Sequence, residues 1–284
     1  MKKLICLILA SVLALGLLSG CSIANNEPPE MGFLVAEQFT GYKLGTVEEL
    51  VSEEFLCAEI DSPIVVKYDS VEEGLQDLRD NKIYGFALPG VYADMEIEKS
   101  YAFLKLALPF VDKQLRAVSM SSSKLVLPVD AAITSIRNDG TAEKIRRAYS
   151  PYADANDPYV RPTEFDTNKG RTITIGICSD EAYPYNFHDD NGALTGINVD
   201  VAYEIAKGIS AELVIKEYAG DKLFEALEAG EVDIIMSQYF LSEDDKVDVK
   251  YTYSDTYCDA STHIIIRGPM ADFTDEELEA KKAK

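Results

Sequence analysis

"RTITIGICSDEAYPYNF", Arg171–Phe187, reads as the opening of a domain. "TITIGI" is β-branched and apolar, the composition of a strand buried in a sheet, and it runs directly into a polar, turn-rich loop. The following chain keeps alternating. "NVDVAYEIAKGIS" has apolar residues at helical spacing, "ELVIKEY" is a strand, "DKLFEALEAGE" a helix and "VDIIMSQ" a strand. That order implies a parallel sheet covered by helices, with any ligand at the C-terminal strand ends. Yet shortly before it, "RNDGTAEKIRRAYSPY", Arg137–Tyr152, reads as the end of a protein.

Upstream, residues 41 to 120 carry the same alternation. "YKLGTV", "PIVVKY" and "KIYGFALPG" are strands, and "VEELVSEEFLCAE" and "SVEEGLQDLRDN" are helices, the second with Ser70 as N-cap and Glu73 in the capping-box position. "LVLPVDAAITSIRNDG" is a helix stopped by Gly140, and "TAEKIRRAY" is a second one capped by Thr141. "SPYADANDPYVRPTEFDTNKG", with Pro151, Pro158 and Pro162, reads as a linker. Asp154 and Asn156 do not make it a calcium loop, because the sharp-turn glycine and the final glutamate are missing.

The N-terminus reads as a targeting segment. Lys2 and Lys3 precede the apolar "LICLILASVLALGLL", which is too short to span a bilayer as a mature helix. "LSGC", Leu18–Cys21, matches the bacterial lipobox and makes Cys21 the expected site of lipid attachment. "SIANNEPPE" then reads as a tether. With 284 residues, 47% of them hydrophobic, the chain has enough apolar material for two lobes with cores. The formal charge of −22 becomes two units more negative once Lys2 and Lys3 leave with the leader. So acidic a body excludes nucleic acid and anionic membrane surfaces as partners of the folded part. Cys57, Cys178 and Cys258 are an odd set at irregular spacing and give no disulfide framework. With two histidines and no CxxC pair, no metal site is expected, and no cofactor either.

The stretches "IGICSDEAYPYNFHDDNGALTGINVDVAYEIAKGI", "LFEALEAGEVDIIMS" and "YTYSDTYCDASTHIIIR" resemble the first lobe of the type II extracellular solute-binding proteins of ABC importers, family 3, the polar amino-acid group. "GYKLGTVEEL", "VVKYDSVEEGLQDLRDNKIYGFAL" and "LPVDAAITSIRNDGTAEKIRRAYS" resemble that family's second lobe and its closing helices. The resemblance implies an α/β, two-lobed, periplasmic-binding-protein-like type II fold with its lobes in circularly permuted order. The expected layout is a lipoprotein signal peptide at 1–20, a tether at 21–39, the second-type lobe at 40–124 and closing helices at 125–150 packing on the other lobe. A linker at 151–170, the first-type lobe at 171–267 and a tail helix at 268–284 complete it. A fragment of two tandem binding domains is the rival history.

The resemblance further implies a small solute held between the lobes, an ABC permease as membrane partner, and no enzymatic activity. A non-transport sensor or interaction module is the alternative. Asp180 and Tyr183 match the family's acidic and aromatic contacts, and Ser237 matches a hydroxyl contact after a strand. Tyr185, Gln238 and Tyr239 are candidates beside them. At the family's carboxylate anchors stand Asp245, with Lys246 next to it, and Glu49, Leu50 and Val51. Pro89 replaces an acidic ammonium contact. These departures point toward a cationic or uncharged ligand rather than a plain zwitterion.

Overall fold

A computed structural model describes residues 35–100, 104–106, 113–150, 153–162, 170–241 and 248–268, and within it the side chains of 98–100, 104–106 and 238–241 are left aside. The signal peptide, Cys21, most of the tether, Asp245 and all but the first residue of the tail helix lie outside the described residues.

The first half builds β1 (Lys43–Thr46), α1 (Glu53–Glu59), β2 (Ile64–Lys67), α2 (Val71–Arg79), β3 (Gly85–Pro89), α3 (Gly90–Ser100), β4 (Leu104–Leu106) and β5 (Lys113–Met120). Helices α4 (Val126–Asn138) and α5 (Thr141–Ala148) follow. The second half supplies β6 (Thr172–Cys178), the hairpin β7 (Phe187–His188) and β8 (Leu194–Thr195), α6 (Ile197–Gly208), β9 (Glu212–Tyr218), α7 (Leu223–Glu228), β10 (Ile234–Leu241), β11 (Tyr251–Asp259) and β12 (Thr262–Arg267). Local chemistry sets these elements. The Ser70 hydroxyl accepts the Glu73 amide at 3.2 Å and starts α2. Gly74 on the same helix faces the Phe86 ring so closely that a Cβ would stand 2.2 Å from it. Thr141 is not the cap of α5. Gly140, at φ +83°, holds that position, and the Asp139 carboxylate accepts the Thr141 amide at 2.9 Å. A carboxylate placed just ahead of the helix thus satisfies one of the orphan donors of its first turn.

Two five-stranded sheets result, in the orders β2-β1-β3-β12-β4 and β11-β5-β10-β6-β9. The parallel strands are β2, β1 and β3 in one sheet and β10, β6 and β9 in the other. β12 runs antiparallel to β3 and β4, and β5 antiparallel to β10 and β11. The lobe boundaries drawn from sequence therefore shift. Residues 113–120 belong to the sheet of the second half, and 262–267 to the sheet of the first. The first is a mixed polar and apolar stretch and the second an apolar run, and neither pattern says which sheet it joins. The chain passes between sheets at Ala260 and Ser261, right after β11. There the Ala260 amide donates to the Lys113 carbonyl (2.8 Å) and the Lys113 amide to Ser261 Oγ (3.2 Å), binding the passage to the start of β5.

Helix α6 is buried along most of its length, with Val199, Val201, Ala202 and Ile205 at 1% exposure or less. Helices α4 and α5 pack on it, so closely at one point that a Cβ on Gly208 would stand 2.8 Å from that of Ala132. Residues 153–162, read as a free linker, have no regular structure but are fastened to this helix. Arg161 pairs with the Asp200 carboxylate and donates to Thr195 Oγ1 at 2.9 Å, while its guanidinium lies 5.1 Å from the centre of the Tyr203 ring. Tyr159 donates to Glu204 at 3.3 Å. Polarity suggested a tether, whereas Arg161 is committed to the buried Asp200 carboxylate and Asp157 to Lys144.

Candidate functional site

Three parallel strands of the second sheet meet at one place. β6 ends at Cys178, β9 leads to Gly220, and β10 carries Ser237. Together with the loop after β6 they enclose a cavity of about 350 Å³ lined by Cys178, Asp180, Glu181, Ala182, Asn186, Gly220 and Ser237. This is where α/β sheets offer ligands their strand ends and loops.

The site rests on a buried polar network. Asn186, 2% exposed, donates to the carbonyls of Cys178 (3.1 Å) and Asp180 (2.7 Å) and so folds the loop back onto its strand. Asn198, fully buried near the start of α6, donates to Asn186 Oδ1 and to Ser237 Oγ, each at 2.9 Å, and accepts from the Tyr257 hydroxyl at 2.7 Å. Tyr257 in turn accepts the Ser237 amide at 3.3 Å. Ser237 has a φ of +66° at a bulge in β10, and these contacts hold it there. A buried network so fully paired fixes one geometry for the cavity floor.

Asp180 stands exposed at the mouth. One carboxylate oxygen accepts the Gly220 amide at 3.1 Å and the Cys178 thiol at 3.4 Å. Burial pushes the Cys178 thiol up, so at neutral pH it is a proton donor rather than a thiolate. Glu181 adds a second acid and pairs with His188 at 3.3 Å. Tyr183 is 38% exposed, its ring 4.8 Å from that of Phe187 and 6.4 Å from that of Tyr92. Its hydroxyl donates to the Tyr149 carbonyl at 3.0 Å, and Tyr92 from α3 donates to the same oxygen at 2.5 Å.

The structure thus brings Asp180 and Ser237 to one cavity and sets Tyr183 on the same loop. It moves Tyr185 elsewhere. At 6% exposure Tyr185 belongs to the main hydrophobic core, because the turn that exposes Tyr183 points its second neighbour inward. Glu49 is exposed in the turn after β1 and does not line the cavity. Gln238 and Tyr239 lie on β10 opposite Arg116 and Leu115, and only their backbone is described. Asn186, Asn198, Tyr257 and Gly220 were missed. "YNF" and "GINVD" did place an asparagine at a loop end and a helix start, which was the available signal. A larger hollow of about 530 Å³ lies between α5 and residues 153–159, where Lys144 pairs with Asp157 at 2.7 Å and Arg147 with Glu143. Among the described residues no group of three or more His, Cys, Asp or Glu side chains is placed to hold a metal ion. No described helix is long and apolar enough to cross a membrane.

Two α/β sheets thus exchange strands, and a polar cavity lies at the strand ends of one of them. Residues 173–274 match the model of the bacterial extracellular solute-binding proteins, family 3. The L-cystine-binding protein TcyJ of Escherichia coli is 27% identical over 97 residues, covering 34% of this chain and 35% of that one. TcyA, the L-cystine-binding protein of Bacillus subtilis, is 30% identical over 110 residues, covering 38% and 39%. A probable histidine-binding protein of Campylobacter jejuni is 30% identical over 112 residues, covering 39% and 43%. The chain thus spans less than half the length of these curated relatives. Among solved structures, a phosphate-binding protein of a Streptococcus pneumoniae ABC transporter superposes at a TM-score of 0.40 with 8% identity, covering 80% of this chain and 88% of that one. So loose a likeness carries no argument about ligand.

Proposed function

We propose that the chain is the extracytoplasmic solute-binding component of an ABC importer, anchored by lipid on Cys21 and capturing a small polar solute at the cavity beside Asp180. One observation carries this reading: the cavity is built by strand ends that lie within the segment matching family 3. Asp180 and Glu181 provide negative charge for a cationic group, and Tyr183 provides a flat face at the mouth. Relatives named for cystine and histidine support a solute of amino-acid size.

The permuted lobe order belongs to the same reading. Helices α4 and α5 precede the lobe they pack on, and residues 153–162 bridge toward its first strand, as expected where old termini were joined. A thermal-shift screen of the mature protein against amino acids, polyamines, sugars and aromatic acids tests the function. A ligand at a hundred times its Kd adds about 2.7 kcal/mol to stability. Asp180→Ala and Tyr183→Ala should each weaken the hit by about tenfold or more. A panel with no stabilising solute would end the proposal.

A further inference from the structure

Beside the cavity loop, side chains from both lobes converge on the carbonyl oxygen of Tyr149. This residue is the C-cap of α5, so its carbonyl belongs to a helix end whose last acceptors have no partner within the helix. A carbonyl oxygen has two lone pairs, and two phenols use them. The Tyr183 hydroxyl donates at 3.0 Å and the Tyr92 hydroxyl at 2.5 Å.

The two donors are carried by different parts of the molecule. Tyr183 lies on the loop after β6, and α5 packs on α6, which covers β6 and β9 of the second sheet. Tyr183 and its acceptor therefore move together. Tyr92 lies in the first turn of α3, which packs on β3, β12 and β4 of the first sheet. Its bond crosses between the lobes. Two residues on, Asp94 crosses beside it and meets Arg146 of α5 at 3.5 Å, while Glu143 holds that guanidinium from its own helix at 2.8 Å.

The acceptor is a fixed point of its lobe. The Tyr149 hydroxyl donates to the buried Asp200 carboxylate at 2.5 Å and accepts the Gly196 amide at 3.2 Å, tying the end of α5 to the start of α6. Its ring meets Phe187 edge-on at 6.0 Å, and Phe187 packs on Tyr183 at 4.8 Å. Rotating the first sheet about the passage at Ala260 and Ser261 would leave Tyr183 on the carbonyl and draw Tyr92 off it. Tyr92, 3% exposed, would then trade its bond for water. One neutral hydrogen bond exchanged for water shifts an equilibrium by roughly three- to tenfold, which biases the orientation of the lobes without locking it.

We propose that Tyr92 is a positioning residue of the solute site: its bond to the Tyr149 carbonyl clasps the first lobe against the loop that carries Tyr183, and so slows the release of a captured solute. This rests on the solute-binding reading and adds a regulating contact to it. The clasp consists entirely of the protein's own groups, so it acts before a solute arrives as well as after.

Scattering and stopped-flow kinetics on the mature full chain test it, with Tyr92→Phe removing the hydroxyl and keeping the ring. In plain buffer, Tyr92→Phe should have a larger radius of gyration than the wild type. With a stabilising solute from the thermal-shift screen, its affinity should fall about fivefold, through faster dissociation and not slower association. Should Tyr92→Phe not fold, Asp94→Asn carries the test through the neighbouring crossing, with the same rise in radius and in dissociation rate expected. An unchanged radius, or an unchanged dissociation rate, overturns the role of Tyr92 and leaves solute binding standing. If the radius rises but no solute in the screen binds the wild type, the contact between the lobes stands, and the solute-binding reading falls together with the role of Tyr92 in it.

Discussion

Asp200 has 2% of its surface exposed and faces Arg161 and the hydroxyl of Tyr149, which also holds Thr195 and the Gly196 amide. Burial pushes its carboxyl up, and Tyr149 and Arg161 offset only part of that. Removing the cation should therefore hurt more than removing the acid. Arg161→Met is expected to destabilise by about 3 kcal/mol because it strands a buried carboxylate, and Asp200→Asn by clearly less, both read from urea unfolding. The pH signs also differ. A carboxyl raised on folding contributes stability below its unfolded pKa, lost as pH climbs through the folded value. Asp139 is held low by the Thr141 amide, so its contribution exists above about pH 4 and vanishes as pH falls through the folded value. Asp139→Asn should make the acid-side fall in Tm shallower, and an unchanged acid limb would contradict this. For the thiols, burial pushes Cys258 up to about 12 while Cys57 is exposed. Iodoacetamide at mild alkaline pH should label Cys57 quickly and reach Cys258 only on unfolding, as peptide mapping would read.

At the scale of elements, periodicity made most helices and strands legible, because α2 and α6 bury side chains at helical spacing and β6 opens on four β-branched residues, Thr172 to Ile175. Pattern could not tell that residues 153–162 are pinned down, since the pinning lies in pairings with α6 distant in sequence. Asp180 and Ser237 were readable as polar residues at strand ends. The asparagines beneath them were not, because a buried network is a property of the assembled elements. Gly196 shows how tightly α6 is seated. It starts the helix at φ +116°, and a Cβ there would lie 2.5 Å from the Tyr185 carbonyl oxygen. Gly196→Ala combines backbone strain with a backbone clash and should lower stability by at least about 2 kcal/mol in denaturant melts. A loss within a few tenths of a kcal/mol would mean that this helix start readily shifts.

For the whole molecule, the two sheets are joined where Ala260, Ser261 and Lys113 meet, and α3 touches the other half through Tyr92. If the lobes close on a solute by rotation about that junction, scattering should register a smaller radius of gyration when a stabilising solute from the thermal-shift screen is added. An unchanged profile with saturating ligand would rule the closure out. Cys21→Ser should abolish lipid labelling and release the protein from the membrane fraction. The exchange of strands also has a consequence for how the molecule comes into being. β12 is inserted between β3 and β4, and β5 between β10 and β11, so each sheet lacks an interior strand until the other half exists. Residues 35–150 and 170–268 produced as separate pieces should each remain unfolded, and should regain structure when mixed. On the ribosome, the first sheet has to wait until almost the entire polypeptide has been synthesised. A chain that cannot complete its first sheet early stays extended while it is being made, the state that the export proposed above requires.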